Sequence, residues 1–103
     1  MPHPQYYTTK STRARRLGRL KFYFKITLEQ YDEMLEAQGG VCAICKQPPV
    51  LIRLSVDHDH KCCPGRKSCG KCIRGLLCQR CNAVLGYVES NNIVGAILKY
   101  LKL

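Results

Sequence analysis

Acidic side chains are scarce: the 103 residues hold seven Asp and Glu against seventeen Lys and Arg, and none of the seven falls within the first 28 positions. A formal charge of +10 costs self-repulsion that folding does not require, so a polyanionic partner is the natural explanation. Long apolar runs are missing too. The most apolar stretches, around Leu76 and from Ile93 to Leu103, are broken by polar groups well short of the roughly eighteen residues that span a bilayer, which predicts no membrane partner. The opening Met1-Pro2-His3-Pro4-Gln5-Tyr6-Tyr7 lacks the basic and apolar regions of a secretory signal, so a cytoplasmic protein is expected. In that reducing setting the eight cysteines read as metal ligands, not as disulfides. A chain this short buries a modest fraction of its surface, so a metal is a useful supplement to its core.

The basic residues are clustered. Lys10, Arg13, Arg15, Arg16, Arg19, Lys21 and Lys25 form a run flanked by Tyr6, Tyr7, Phe22, Tyr23 and Phe24. This pattern predicts a basic arm over residues 1–26, partly helical from about Thr12, that lies on a phosphate backbone through Arg13, Arg15, Arg16, Arg19 and Lys21. His3, in a polar tail, is expected to be exposed and idle.

Thr27 followed by Leu28-Glu29-Gln30 has the form of a capping box, and Leu28, Tyr31, Met34, Leu35 and Gln38 keep helical spacing until Gly39-Gly40. A helix over about 28–38 is predicted. After Pro48-Pro49, the latter half of Val50 to Val56 reads as a strand running into Asp57, and Ile73 to Leu77 as its antiparallel partner. A long cysteine-bearing loop over 61–72 joins them. Two helices close the chain: one carries Cys81 and Asn82 and runs to about Val88. The second starts near a Ser90-Asn91-Asn92 cap and presents Ile93, Val94, Ile97, Leu98 and Leu101 to the core.

Cys42-x-x-Cys45 and Cys78-x-x-Cys81 are separated by 32 residues. Each pair turns two thiolates onto one ion, and together they complete the four-sulfur tetrahedron of a structural zinc. With all four positions filled by protein, no place remains for a reacting water, so this metal is expected to hold the fold.

Asp57-His58-Asp59-His60 lies at the end of the first predicted strand. Alone it reads as a surface turn or a transition-metal clip. In context, Cys42-Ala43-Ile44-Cys45, Val56-Asp57-His58-Asp59-His60, Arg74-Gly75-Leu76-Leu77-Cys78 and Cys81-Asn82 closely resemble the recombination endonuclease VII family of phage and bacteria. Glu36-Ala37-Gln38-Gly39-Gly40, ahead of the first cysteine pair, is similar to that family as well. The resemblance spans roughly residues 26–88.

That resemblance implies an α+β fold: a small zinc-stabilised ββα-metal (His-Me finger, HNH) domain over residues 27–103 with flanking helices. It implies that Asp57 and Asn82 hold a catalytic magnesium or manganese ion, whose hard character suits oxygen donors. It implies that His58 is the general base, with His60 in an auxiliary role, and that the partner is DNA, cut by hydrolysis of phosphodiester bonds. Arg74 is placed to clamp a phosphate, and Gly75 to allow a close backbone approach. The pattern departs from the family after Asn82, where Ala83-Val84-Leu85-Gly86 offers no acidic ligand. A homodimer is compatible with the resemblance.

The loop Cys62-Cys63-Pro64-Gly65-Arg66-Lys67-Ser68-Cys69-Gly70-Lys71-Cys72 contains a zinc-knuckle pair, Cys69 and Cys72, and an awkward adjacent pair, Cys62 and Cys63. A second zinc is the leading expectation. A loop disulfide, free thiols, or His60 in place of one cysteine are the alternatives. Arg66, Lys67 and Lys71 at this tip are expected beside a DNA backbone. The competing reading of the whole chain is a non-catalytic, zinc-containing nucleic-acid-binding module. The set Asp57, His58 and Asn82 favours the enzyme, because mere binding gives no reason to keep these three together.

Overall fold

The computed structural model describes residues 10–103, and side chains from residue 13 onward; His3, Tyr6 and Tyr7 lie outside the described residues. Helix α1, Lys10–Arg19, runs into a widened π-helical turn, Leu20–Phe24, which stops where Lys25 adopts a left-handed conformation (φ 59°). The basic stretch is therefore helical, as its sequence suggests, but its C-terminal half is part of the packing: Leu20 is fully buried and Arg16 is 8% exposed.

Helix α2, Leu28–Ala37, starts at the capping box expected for it. The Thr27 hydroxyl accepts from the Gln30 amide at 3.1 Å, and the Gln30 side chain accepts from the Thr27 amide at 2.8 Å. It ends in a Schellman turn, with Gly39 N–H on the Glu36 carbonyl and Gly40 N–H on that of Leu35. Both glycines have positive φ, the conformation that a side chain would oppose. Leu28, Tyr31 and Leu35 face inward from this helix onto Leu54, Val56, Leu76 and Leu77.

Strands β1 (Ser55–His58) and β2 (Ile73–Leu77) form one antiparallel pair. β2 has the bounds its sequence predicts. β1 falls where the latter half of Val50 to Val56 runs into Asp57, as predicted, and continues to His58; Val50, Leu51 and Ile52 stand exposed before it. The register pairs Asp57 with Gly75 but His58 with Ile73, so Arg74 is an extra residue on β2. Such a bulge re-aims the side chain it carries.

Gln38, just past α2, acts as a short third strand on β2. Its Nε2 donates to the carbonyls of Val41 (2.8 Å) and Leu76 (3.0 Å), and its Oε1 accepts from Leu76 N–H (2.9 Å). A β-carbon on Gly75 would meet that oxygen at 3.1 Å, so the close approach expected at Gly75 is to the Gln38 amide. Gln38→Ala should lower stability by about 1–3 kcal/mol, because it leaves the Leu76 amide buried without an acceptor. Denaturant unfolding checks this, and an unchanged midpoint would contradict it.

Helix α3, Gln79–Ser90, follows β2 directly, packs against both strands, and completes a ββα unit. Helix α4, Val94–Leu101, departs from expectation. Its N-cap is Ile93 without a side-chain bond, because α3 continues through Ser90 and the Asn91 amide is spent on the Tyr87 carbonyl. Nor does it close the core: Val94, Ile97, Leu98 and Leu101 are 37–54% exposed. The apolar stripe is present, but no described element covers it. No helix among the described residues is long and apolar enough to cross a membrane.

Candidate active site

The end of β1 places two buried polar residues side by side, Asp57 (6% exposed) and His58 (4%). The Arg74 bulge directs its guanidinium onto Asp57, with Nε on Oδ2 at 2.8 Å and Nη2 on Oδ1 at 3.1 Å. The same guanidinium also reaches Glu89 on α3, at 2.8 and 3.0 Å. Glu89 and Asp57 together hold the Arg74 pKa well above its usual value, and Arg74 in turn lowers that of Glu89. Two carboxylates thus converge on one cationic group. A recess of about 240 Å³ opens here, lined by Asp57, Arg74, Gly75 and Leu77 of the strands, Leu85 of α3, and Ala43 and Ile44.

Glu89 was not singled out by the sequence. The signal is its spacing: seven residues after Asn82 on one helix puts both on the same face, two turns apart. Asn82 itself is exposed on the first turn of α3.

His58 is fixed from the other side. Its Nε2 lies 3.0 Å from the Cys63 carbonyl oxygen. A carbonyl only accepts, so Nε2 carries a proton, and in the neutral imidazole the lone pair is then on Nδ1. The ring centre lies 6.3 Å from that of Phe24 and 4.3 Å from that of the exposed His60. Asp59 builds the turn between them: its carboxylate accepts from the Lys61 amide and its carbonyl from those of Cys62 and Cys63.

The eight cysteines gather into two groups, and within each the four sulfurs lie within 4.8 Å of one another. Cys42, Cys45, Cys78 and Cys81 join the turn after α2 to the start of α3. Amide hydrogens point at their sulfurs, Ile44 N–H at Cys42 and Cys81 N–H at Cys78 (both 3.4 Å), and the latter makes Cys78 the N-cap of α3. Burial pushes the Cys42 thiol up, but hydrogen bonds around Cys78, Cys45 and Ile44 outweigh it and bring Cys42 down to about 6. Cys81, sharing hydrogen bonds with Cys78, is pushed up to about 12. Four thiols this close resist full ionisation on their own, and a tetrahedral dication removes the conflict.

The second group is Cys62, Cys63, Cys69 and Cys72; His60 is not in it, and none of these cysteines is disulfide-bonded. The knuckle repeats, with Lys71 N–H on the Cys69 sulfur at 3.4 Å as Ile44 N–H sits on Cys42. A hydrogen bond from Ser68 lowers Cys72 to about 7, while bonds shared with Cys63, Cys69 and Cys72 push Cys62 up to about 12. Both clusters can hold zinc.

Basic side chains of α1 and of the cysteine loop meet at the Phe22 and Tyr23 rings. Arg19 and Arg66 both lie over the Tyr23 ring, at 5.5 and 4.9 Å, and the Lys67 ammonium lies 4.0 Å from the Phe22 ring centre. Arg15, Lys21 and Lys71 are exposed, and Arg13 is near Glu29 at 3.9 Å. Arg16 does not join this face, in contrast to the sequence expectation. Its guanidinium is buried 4.2 Å over the Tyr31 ring, because α1 turns it toward α2.

The sequence profile described as recombination endonuclease VII matches residues 17–103. Two curated relatives are both called Gene 59 protein. That of Mycobacterium phage D29 is 43% identical over 64% of this chain and 36% of its own length. That of Mycobacterium phage L5 is 38% identical over 78% of this chain and 44% of its own length. The chain thus spans less than half the length of these relatives. With this match over most of its length, and the Cys42–Cys81 cluster and the Asp57-His58 strand end meeting in one ββα unit, the chain belongs to the recombination endonuclease VII family.

Proposed function

We propose that this protein is a divalent-metal-dependent DNA endonuclease of the HNH (His-Me finger) type, acting in the cytoplasm of a phage's bacterial host. The observation that carries the reading is the setting of His58: a buried imidazole whose Nε2 is held by the Cys63 carbonyl, next to Asp57 at the end of the same strand, so that in the neutral ring the lone pair lies on Nδ1. A neutral imidazole so fixed is a general base. Nδ1 takes a proton from water, the oxygen's electron pair forms a bond to phosphorus, and the bond from phosphorus to the departing sugar oxygen breaks. His60 keeps the His58 ring in place by stacking, and Arg19, Lys21, Arg66, Lys67 and Lys71 hold the backbone on either side.

Asp57 and Asn82 would hold magnesium or manganese. The chemistry of the donors fits, since a carboxylate and an amide oxygen are hard ligands and Asp57 already faces a cationic group. Bound there, the ion would stabilise charge on the phosphate and the leaving oxygen. Arg74 would then release Asp57 while Glu89 retains it, and so turn toward the phosphate. The Cys42, Cys45, Cys78 and Cys81 cluster holds structural zinc in this reading, and a homodimer is one arrangement in which two strands would be cut.

A second reading, a zinc-containing nucleic-acid-binding module without catalysis, is favoured by one observation: both oxygens of Asp57 are engaged by Arg74. Zinc-loaded protein mixed with supercoiled plasmid separates the two. Nicked or linear product is expected when magnesium or manganese is added and not when both are withheld. Plasmid that is bound but left intact under all conditions would establish the module.

The basic face has its own test. Arg66→Ala with Lys67→Ala should reduce the slope of log K against log salt by about 0.9 for each phosphate that is no longer neutralised, roughly 2 in all. An unchanged slope would remove the loop tip from the DNA interface.

A further inference from the structure

We infer that Cys62, Cys63, Cys69 and Cys72 bind a second zinc that builds a clasp for His58, holding the imidazole in the tautomer that leaves Nδ1 free. The inference rests on the nuclease reading for what His58 does, but not for how it is held.

Cys63 joins the four-thiol group to the base. Its sulfur belongs to the four-thiol group, while its carbonyl oxygen is the partner of His58 Nε2. Whatever fixes the Cys63 backbone therefore fixes the ring. Beyond the turn in which the Asp59 carbonyl accepts the Cys62 and Cys63 amides, the loop has no apolar packing to fix it: residues 61–72 contain no aliphatic or aromatic side chain beyond Pro64, and Ser68 is the only buried residue among them. A polar loop of this length without a core is ordinarily mobile. Its internal bonds converge on sulfur instead, with Cys69 N–H on Cys63 at 3.2 Å, Lys71 N–H on Cys69 at 3.4 Å, and Ser68 Oγ 3.5 Å from Cys72. Four sulfurs without an ion hold such a shape weakly, whereas a tetrahedral ion ties all four together.

The clasp is anchored on both sides of the base. At its neck the Asp59 amide donates to the Cys72 carbonyl at 2.9 Å, which joins the strand end to the last ligand. On its back the Ser68 amide donates to the Tyr23 carbonyl at 2.7 Å. Gly70 (φ 87°) comes so close to Lys25 that a β-carbon would lie 3.0 Å from the lysine β-carbon and 3.1 Å from its carbonyl oxygen. The loop is thus seated against the π-helical turn that also supplies Phe24, whose ring centre lies 6.3 Å from that of His58. The Cys63 carbonyl makes Cys63 a positioning residue and leaves the chemistry to His58.

The test begins with the wild-type protein, by counting zinc with plasma mass spectrometry and reading His58 in long-range ¹H–¹⁵N spectra of histidine-labelled protein. Two zinc ions per chain and a single Nε2–H tautomer are expected; one zinc, or an Nδ1–H tautomer, overturns the inference. Cys69→Ser with Cys72→Ser should then lower the count to one, convert His58 to a mixture of tautomers, and slow single-turnover cleavage by about 10- to 100-fold with DNA affinity nearly unchanged. Cys69→His, which keeps a zinc donor, should restore the count and the tautomer. A one-zinc variant whose His58 remains wholly Nε2–H overturns the clasp. If the tautomer follows the second zinc but no variant, wild type included, cuts DNA, the clasp stands and the nuclease reading fails.

Discussion

Replacing Cys45 by serine is expected to unfold the α3 region and to abolish cooperative melting of the protein. The core is small, and α3 contributes no buried residue to it; Cys78, Cys81 and Leu85 are what it sets against the rest. A structural zinc of this kind supplies about 10–16 kcal/mol at neutral pH. A whole domain retains only about 5–15 kcal/mol of net stability. Loss of the ion would therefore remove an amount comparable to everything that keeps the protein folded, and loss of one of its four thiolates a large part of it. Because α3 also carries Asn82 and Glu89, both sides of the site should separate with it. Thermal melting followed by circular dichroism checks this, and a cooperative transition within a few degrees of wild type would show that the cluster is dispensable. Prolonged treatment with a strong zinc chelator should reproduce the effect in the wild-type protein. Acid should favour it too, since protons compete with zinc for thiols such as Cys81 that hold them tightly.

His58→Ala is the second large effect. A positioned general base is worth about 10²–10⁴ in rate, so cleavage should fall by that much while plasmid binding persists. The variant should keep its fold with a modest loss of stability, because His58 makes one hydrogen bond, to a loop carbonyl, and lies near Phe24 at the edge of the apolar cluster. Binding that fell in parallel with cleavage would instead place His58 in the DNA interface.

Much of this architecture is written in side-chain identities. Cys42-x-x-Cys45 and Cys78-x-x-Cys81 announce a shared ion, and they do lie together; Thr27 and Gln30 announce the start of α2 and make the box. What stays hidden depends on backbone or on packing. The Cys63 carbonyl that fixes His58 has no sequence signature, because every residue carries a carbonyl. The bulge at Arg74 arises from how a long loop closes between two strands, and it turns an apparent phosphate ligand onto Asp57 and Glu89. Gln38 reads as one more helical position, yet its amide pairs with β2 as a strand would. The α4 stripe of Val94, Ile97, Leu98 and Leu101 shows why periodicity alone misleads, since a helix with an apolar face has the same pattern whether or not a neighbour covers it. Arg16 is a further case: a charge in a basic run reads as solvated, but a guanidinium can lie flat on an aromatic ring and be buried.

The most direct test of the account is single-turnover cleavage of supercoiled plasmid by zinc-loaded wild type and His58→Ala in magnesium, with DNA binding measured on the same preparations. If His58 is the general base, the wild type cleaves and the variant loses about 10²–10⁴-fold at equal binding. Equal cleavage rates for the two proteins would contradict it, because the base would then lie elsewhere.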